Sequence, residues 1–149
     1  MNLELFEIIS FLIVALLNHK AYLFENKWFT ISYGDSSSQF MYFVPFIEKV
    51  LDKGDIFWSW SYGLGGDVLG EFSYYYTTSP FFYISYLIKK IIGIGDTYKN
   101  VIEFKVYISI LKNFILMLTM YSLLRYENKK KYTSYIGAIS YGLSIIFLR

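Results

Sequence analysis

Residues 104–148 read FKVYISILKNFILMLTMYSLLRYENKKKYTSYIGAISYGLSIIFL. Two apolar runs stand out in this stretch, 104–124 and 132–148, and each has about the length of a helix that crosses a bilayer. The loop between them, 125–131, carries four basic residues and one acid. Because short cytoplasmic loops are enriched in lysine and arginine, the stretch predicts two transmembrane helices joined by a cytoplasmic loop.

A further apolar run occupies about residues 3–24 and is the third predicted transmembrane helix. It can span if Glu4 and Glu7 lie at one interface and Lys20 extends toward water at the other. A cleaved signal peptide is the alternative, but no basic residue precedes the run and no A-x-A site follows it. We therefore expect an uncleaved helix with a cytoplasmic N-terminus, which places residues 25–103 outside the cell.

Composition agrees with a multi-pass protein of the cell membrane. Of the 149 residues, 55% are hydrophobic and 17% are charged, with a mean hydropathy of +0.37. A soluble domain of this length could not bury so much apolar surface. The net charge of +2 and the lack of a basic stripe argue against binding of nucleic acid. The absence of cysteine excludes disulfides and thiolate metal sites.

Small residues line one face of the apolar run 132–148, since Ser134, Ala138 and Gly142 recur every four residues. Such faces pack against other transmembrane helices, and three helices offer few partners. We expect the chain to be the N-terminal part of a larger membrane protein and to be poorly stable by itself.

The outer segment, 25–103, contains two amphipathic stretches. In the first, Phe40–Leu51, apolar residues recur at helical spacing. Four charged residues are predicted on its opposite face: Glu48, Lys49, Asp52 and Lys53. The second should begin with Ser79 and Pro80, and its apolar body, 81–92, is too short to span. Both stretches are predicted to be interfacial helices at the membrane surface.

Acidic and aromatic residues of the outer segment are the candidates for a site. Asp35 precedes the first amphipathic helix and either caps that helix or acts chemically. Trp58 and Trp60 either stack on a sugar or anchor the protein at the interface, the commoner role of tryptophan. Asp67 follows the glycine-rich stretch Gly63–Gly66 and is either a second acid or an ordinary turn residue.

A polar stripe follows helical spacing within 104–124: Lys105, Ser109, Lys112 and Thr119. An unpaired lysine at the centre of a bilayer costs about 2.5–3.5 kcal/mol on insertion scales. Lys112 is therefore expected to face the protein interior, a water-filled cavity or an anionic group, unless it belongs to a structural ion pair.

Three motifs, in this order, resemble the start of the YfhO family of bacterial multi-spanning membrane proteins: Gly34-Asp35-Ser-Ser-Ser-Gln39, Tyr62-Gly-Leu-Gly-Gly-Asp67, and Tyr75-Tyr76 with Ser79-Pro80-Phe81. The resemblance implies an all-α integral membrane protein related to GT-C glycosyltransferases. It also implies transfer of a sugar from a polyprenyl-phosphate carrier to a cell-envelope polymer such as lipoteichoic acid. Membrane lipid, the carrier-linked sugar and the polymer are then the expected partners.

The same resemblance implies roles for particular residues. Asp35 and Asp67 are the catalytic candidates, and Asp35 is the residue that would hold a divalent metal ion if one takes part. The candidates for substrate binding are Gln39, Trp58, Trp60, Tyr75, Tyr76, Lys105 and Lys112, of which the two lysines would meet the carrier phosphate.

Two other functions stay open at this point. A non-catalytic membrane module that handles lipid or assists assembly needs only a packed outer segment, and such a segment should tolerate Asp35→Asn. A transporter fragment is favoured by the intramembrane lysines, but transporter sites lie on broken helices near the bilayer midplane, and the predicted spans contain no such break.

Overall fold

The computed structural model describes residues 4–24, 39–95 and 97–144. The regular secondary structure of these residues is helical, as predicted, and β-strands are absent from them apart from one isolated bridge between Ser59 and Gly66. The chain divides into two compact units. We call residues 1–28 with 105–149 the terminal unit and residues 29–104 the central unit.

The α-helices of the described residues are, in chain order, α1 (Leu5–Asn18), α2 (Lys20–Phe24), α3 (Met41–Lys53), α4 (Val68–Glu71), α5 (Pro80–Ile92), α6 (Tyr98–Tyr126) and α7 (Lys131–Gly142). A π-helical turn, Ser73–Thr77, connects α4 to α5. Ser79 occupies the N-cap position of α5 and Pro80 its first turn, as predicted. Gly54 ends α3 with a φ of 77°, a left-handed conformation that glycine adopts without a steric penalty.

Among the described residues, no helix combines the length and the apolar character needed to cross a membrane. The predicted spans 3–24, 104–124 and 132–148 overlap α1 with α2, α6 and α7, respectively. The membrane topology stays a prediction.

In the terminal unit, aromatic rings and small residues bring the helices together. The ring of Phe11 lies 5.8 Å from that of Tyr121 on α6 and 5.4 Å from that of Tyr135 on α7. The small-residue face of α7 is buried, and a Cβ on Gly142 would clash with Cγ of Met117 on α6. The expectation that this face lacks partner helices is therefore wrong, because the chain's own α6 packs closely against it.

The central unit has its own hydrophobic core, to which α3 contributes Val44, Ile47 and Val50. Later elements contribute the other buried members of this core: Val68, Phe72, Tyr76, Phe82 and Val101. Each apolar side chain removed from water in this way contributes about 1.5–3 kcal/mol. The apolar face of α3 thus packs inside the protein, which corrects the prediction that this face lies on the membrane surface.

Candidate functional site

A tight turn in the central unit carries two of the candidate substrate-binding residues. The N–H of Ser59 donates to the carbonyl of Gly66 at 2.9 Å, and the N–H of Gly66 donates back to the carbonyl of Ser59 at 3.1 Å. This pair of bonds closes the chain between them into a loop. We call residues 57–65 the Trp loop, since Trp58 and Trp60 lie on it in edge-to-face contact, with ring centroids 5.7 Å apart.

Gly65 is the residue that admits both indole rings. Its φ is +105°, and a Cβ at this position would lie 2.9 Å from ring atoms of both Trp58 and Trp60. Any larger residue would combine an unfavourable backbone conformation with a clash against two aromatic rings. The geometry of the tryptophan pair therefore depends on glycine at this position.

The Trp loop presents an apolar surface to the outside of the chain. Trp60 is 77% exposed, Trp58 is 52% exposed, and Leu64 at the turn is 96% exposed. Concentrated apolar exposure of this kind marks a surface that meets a ligand, another protein or a membrane. The flat faces of the two indoles suit the apolar C–H faces of a sugar ring, and the N–H groups can bond to hydroxyls.

Asp67 lies just beyond the Trp loop, at the N-cap position of α4. Its backbone carbonyl accepts the N–H of Glu71 at 3.0 Å, but its carboxylate makes no capping hydrogen bond to the helix. The carboxylate lies over Gly70, where a Cβ would be 2.6 Å from Oδ2. Asp67 thus occupies the N-cap position without a capping bond from its side chain, two residues after the end of the Trp loop.

The other candidates of the outer segment are placed differently. Asp35 and the side chain of Tyr75 lie outside the described residues. Gln39 is partly buried, immediately before α3. Tyr76 is 9% exposed, with ring centroids 6.0 Å from Phe40 and 6.3 Å from Phe82, so its ring forms part of the hydrophobic core.

The residues of the polar stripe on α6 do not all face the same way. The Ser109 hydroxyl is 2.9 Å from Nε2 of His19, the residue that follows α1, inside the terminal unit. Lys105 is partly buried, whereas Lys112 is exposed on the surface of the chain. Lys112 therefore does not lie in the interior of this chain, since Ser109 contacts His19 and Asn113 is buried there instead. A water-filled cavity, an anionic group or an ion pair stays the prediction for its surroundings.

Two ion pairs between α3 and α5 were missed by the sequence analysis. Lys89 pairs with Glu48, and both side chains are almost completely buried. Beside them, Lys90 lies 2.6 Å from the Asp52 carboxylate, which also accepts the Tyr86 hydroxyl at 2.6 Å. The Lys90 ammonium, together with that hydroxyl, holds the pKa of Asp52 below its usual value. A signal was available, since the two acids are four residues apart and share one side of a helix.

The basic loop forms ion pairs with the start of α1. Lys131 Nζ lies 2.5 Å from Glu4 Oε1 and 2.9 Å from Glu7 Oε1. The hydrogen bonds that Lys131 donates, first to Glu4 and then to Glu7, raise its pKa. The N-terminal ends of α1 and α7 therefore lie together, as they must if the N-terminus and the basic loop share one side of a membrane.

Groups of three or more histidine or acidic side chains close enough to hold a metal ion do not occur in the described part of the chain. Asp35, the residue predicted to hold such an ion, lies outside that part.

Comparison with known proteins identifies the family. Residues 7–149 match the family model described as "Bacterial membrane protein YfhO". "Uncharacterized protein YfhO" of Bacillus subtilis (strain 168) is 31% identical over 147 residues, an alignment that covers 93% of this chain and 17% of that protein. No solved structure is significantly similar to the chain. The match across almost the whole sequence shows that the chain belongs to the YfhO family of bacterial membrane proteins.

Proposed function

We propose that this chain is the N-terminal part of a GT-C-type glycosyltransferase that moves a sugar from a polyprenyl-phosphate carrier to a cell-envelope polymer. The observation that carries the proposal is the exposed pair Trp58 and Trp60 on the Trp loop, which Asp67 follows in the chain. An indole face can stack on a sugar ring, and a carboxylate can accept the proton of a sugar hydroxyl.

The chemistry assigned to the acids is a single displacement. A carboxylate removes the proton from an acceptor hydroxyl, whose oxygen forms a bond to C1 of the sugar as the bond from C1 to the carrier phosphate breaks. The electron pair of the broken bond leaves with the phosphate, which stays attached to the polyprenyl chain. We assign the role of base to Asp35, on the family resemblance, and place Asp67 as the second acid near the sugar. A divalent ion, if bound by Asp35, would stabilise the leaving phosphate.

Lys105 and Lys112 are the proposed contacts of the carrier phosphate. A charge-assisted bond from an ammonium to a phosphate is stronger than a bond between neutral groups. The exposure of Lys112 supports this role, since its side chain is accessible to a lipid-linked phosphate from outside the chain. Because this chain spans 17% of the length of the Bacillus subtilis relative, the activity belongs to a full-length protein that carries this segment.

The Trp loop is tested by truncating one indole in such a full-length protein. Trp60→Ala removes an exposed ring, so we expect normal protein abundance together with reduced glycosylation of the envelope polymer. If the ring only binds sugar, the variant should show a raised KM with kcat little changed. Phe57→Ala is the matched control, because Phe57 is 72% exposed on the same loop without belonging to the tryptophan pair. Equal glycosylation by both variants would argue for a non-catalytic module.

A further inference from the structure

Helix α5 buries a lysine and exposes aliphatic side chains, which is the reverse of an ordinary amphipathic helix in a soluble protein. Its buried residues are Phe82 and Lys89, the latter paired with Glu48 of α3. The opposite side exposes aliphatic residues at the spacing of one helix face: Ile84, Leu87, Ile88 and Ile91. Ile91 is the most exposed of them, at 84%.

The ion pair with Glu48 is what sets this orientation. A lysine can be buried when a carboxylate compensates its charge, and Glu48 supplies that carboxylate from the neighbouring helix. Since Lys89 then faces the core, residues on the far side of α5 must face away from it. Four aliphatic side chains on one exposed face form a patch of the kind that binds a partner or a membrane.

The composition of the face indicates which occupant it fits. Helices that pack against other helices in membranes place small residues at the contact, as α7 does with Ser134, Ala138 and Gly142, which are buried. The exposed face of α5 carries only isoleucine and leucine and no small residue. Bulky aliphatic side chains without small neighbours match the acyl chains of lipid better than the backbone of another helix.

The charges beside the face also match a membrane surface. Lys90 lies at the edge of the face and pairs with Asp52 of α3, and Lys49 and Lys53 are exposed on the adjacent surface of α3. Basic residues beside an apolar helix face bind the anionic headgroups of bacterial lipids.

We infer that the α5 face, formed by Ile84, Leu87, Ile88 and Ile91, lies in the lipid interface and holds the central unit against the membrane. The orientation of α5 is then parallel to the bilayer, with Glu48 and Lys89 as positioning residues that turn the aliphatic side chains outward. This inference does not depend on the proposed transferase activity.

The absence of cysteine allows a direct test with single-cysteine variants of the chain in vesicles of phosphatidylcholine and phosphatidylglycerol. An environment-sensitive fluorophore is attached at Ile88→Cys, at Leu87→Cys and, as the control, at Glu71→Cys, an exposed position of α4 in the same unit. We expect doxyl-labelled lipid to quench the first two labels, and aqueous iodide to quench the control.

Two results would overturn the inference. Labels at 87 and 88 that iodide quenches as strongly as the label at 71 would show that the face lies in water. Labels shielded from both iodide and doxyl-labelled lipid would show that protein covers it. Circular dichroism with the helical signal of the unlabelled chain confirms that each variant is folded.

Discussion

Lys89 of α5 pairs with Glu48 of α3 in the interior of the central unit, where both side chains are at most 4% exposed. Burying two charges costs a large desolvation free energy that their attraction repays only while both are present. The pair therefore makes the two helices depend on each other, and it orients α5 as a whole.

Removing one partner should destabilise the central unit strongly. Lys89→Met leaves the Glu48 carboxylate buried without its compensating charge, and we expect a loss of about 3–5 kcal/mol in the free energy of unfolding. Thermal unfolding followed by circular dichroism measures it. The double variant Glu48→Leu with Lys89→Met should regain most of the loss, because an apolar pair needs no charge compensation.

The matched control is Lys90→Met, which removes the exposed pair with Asp52 one residue away. Exposed pairs contribute at most about 1 kcal/mol, so this variant should unfold close to the wild type. Equal losses for Lys89→Met and Lys90→Met would contradict the structural role of the buried pair.

The ion pair between Asp52 and Lys90 predicts that the stability of the folded protein decreases at acidic pH. The pKa of Asp52 is lower in the folded protein than in the unfolded chain, because Lys90 and Tyr86 stabilise the carboxylate. Its contribution to stability is thus fully present above the unfolded pKa, about 3.9, and is lost as the pH falls through the folded pKa. Asp52→Asn should remove this part of the pH dependence, in unfolding curves recorded from pH 6 downward. If the free energy of unfolding fell equally with decreasing pH in Asp52→Asn and in the wild type, the result would contradict a stabilising contact between Asp52 and Lys90.

Local chemistry predicted the start of α5, and tertiary pairing explains most of what was missed. Gly54 and Ser79 with Pro80 end and begin helices for reasons that reside in a few neighbouring residues. Glu48 was placed on a solvent face because a helical pattern shows only which residues share a side. Its burial depends on Lys89, which is 41 residues away in the sequence and could not be paired with it by periodicity.

The candidate site shows the same difference between local features, which the sequence indicates, and tertiary contacts, which it does not. The sequence shows a glycine-rich stretch at residues 63–66, and within it Gly65 has a φ of +105°. The contact between Trp58 and Trp60 was not predicted, since it depends on the bridge from Ser59 to Gly66. The small-residue face of α7 was recognised, but its partner was sought outside the chain and proved to be α6.

Gly65 is expected to control the geometry of the Trp loop. Gly65→Ala should cost about 1–3 kcal/mol of stability from backbone strain alone. It should also alter tryptophan fluorescence, since a Cβ at Gly65 would meet both rings. Gly63→Ala is the control, because its φ is also positive but nothing lies within 4 Å of the added Cβ. A fluorescence change of the same size in both variants would show that the rings do not depend on Gly65.

The predicted topology can be tested in intact cells with cysteines at Ser37 and Lys130. The contacts of Lys131 with Glu4 and Glu7 place the basic loop beside the start of α1, and a short basic loop is expected in the cytoplasm. An impermeant thiol reagent should therefore label position 37 and leave position 130 unlabelled until the cells are opened. Labelling at 130 but not at 37 would invert the topology.

The most direct test of the proposed transfer is the substitution Asp35→Asn in a full-length protein that carries this segment. Asparagine caps a helix about as well as aspartate, so a capping role should survive, whereas loss of a general base reduces the rate by about 10²–10⁴. Asp55→Asn, at an exposed acid just after α3, is the control. Glycosylation of the envelope polymer is measured together with protein abundance. We predict normal abundance of both variants and loss of glycosylation in Asp35→Asn alone; normal glycosylation in that variant would contradict the account.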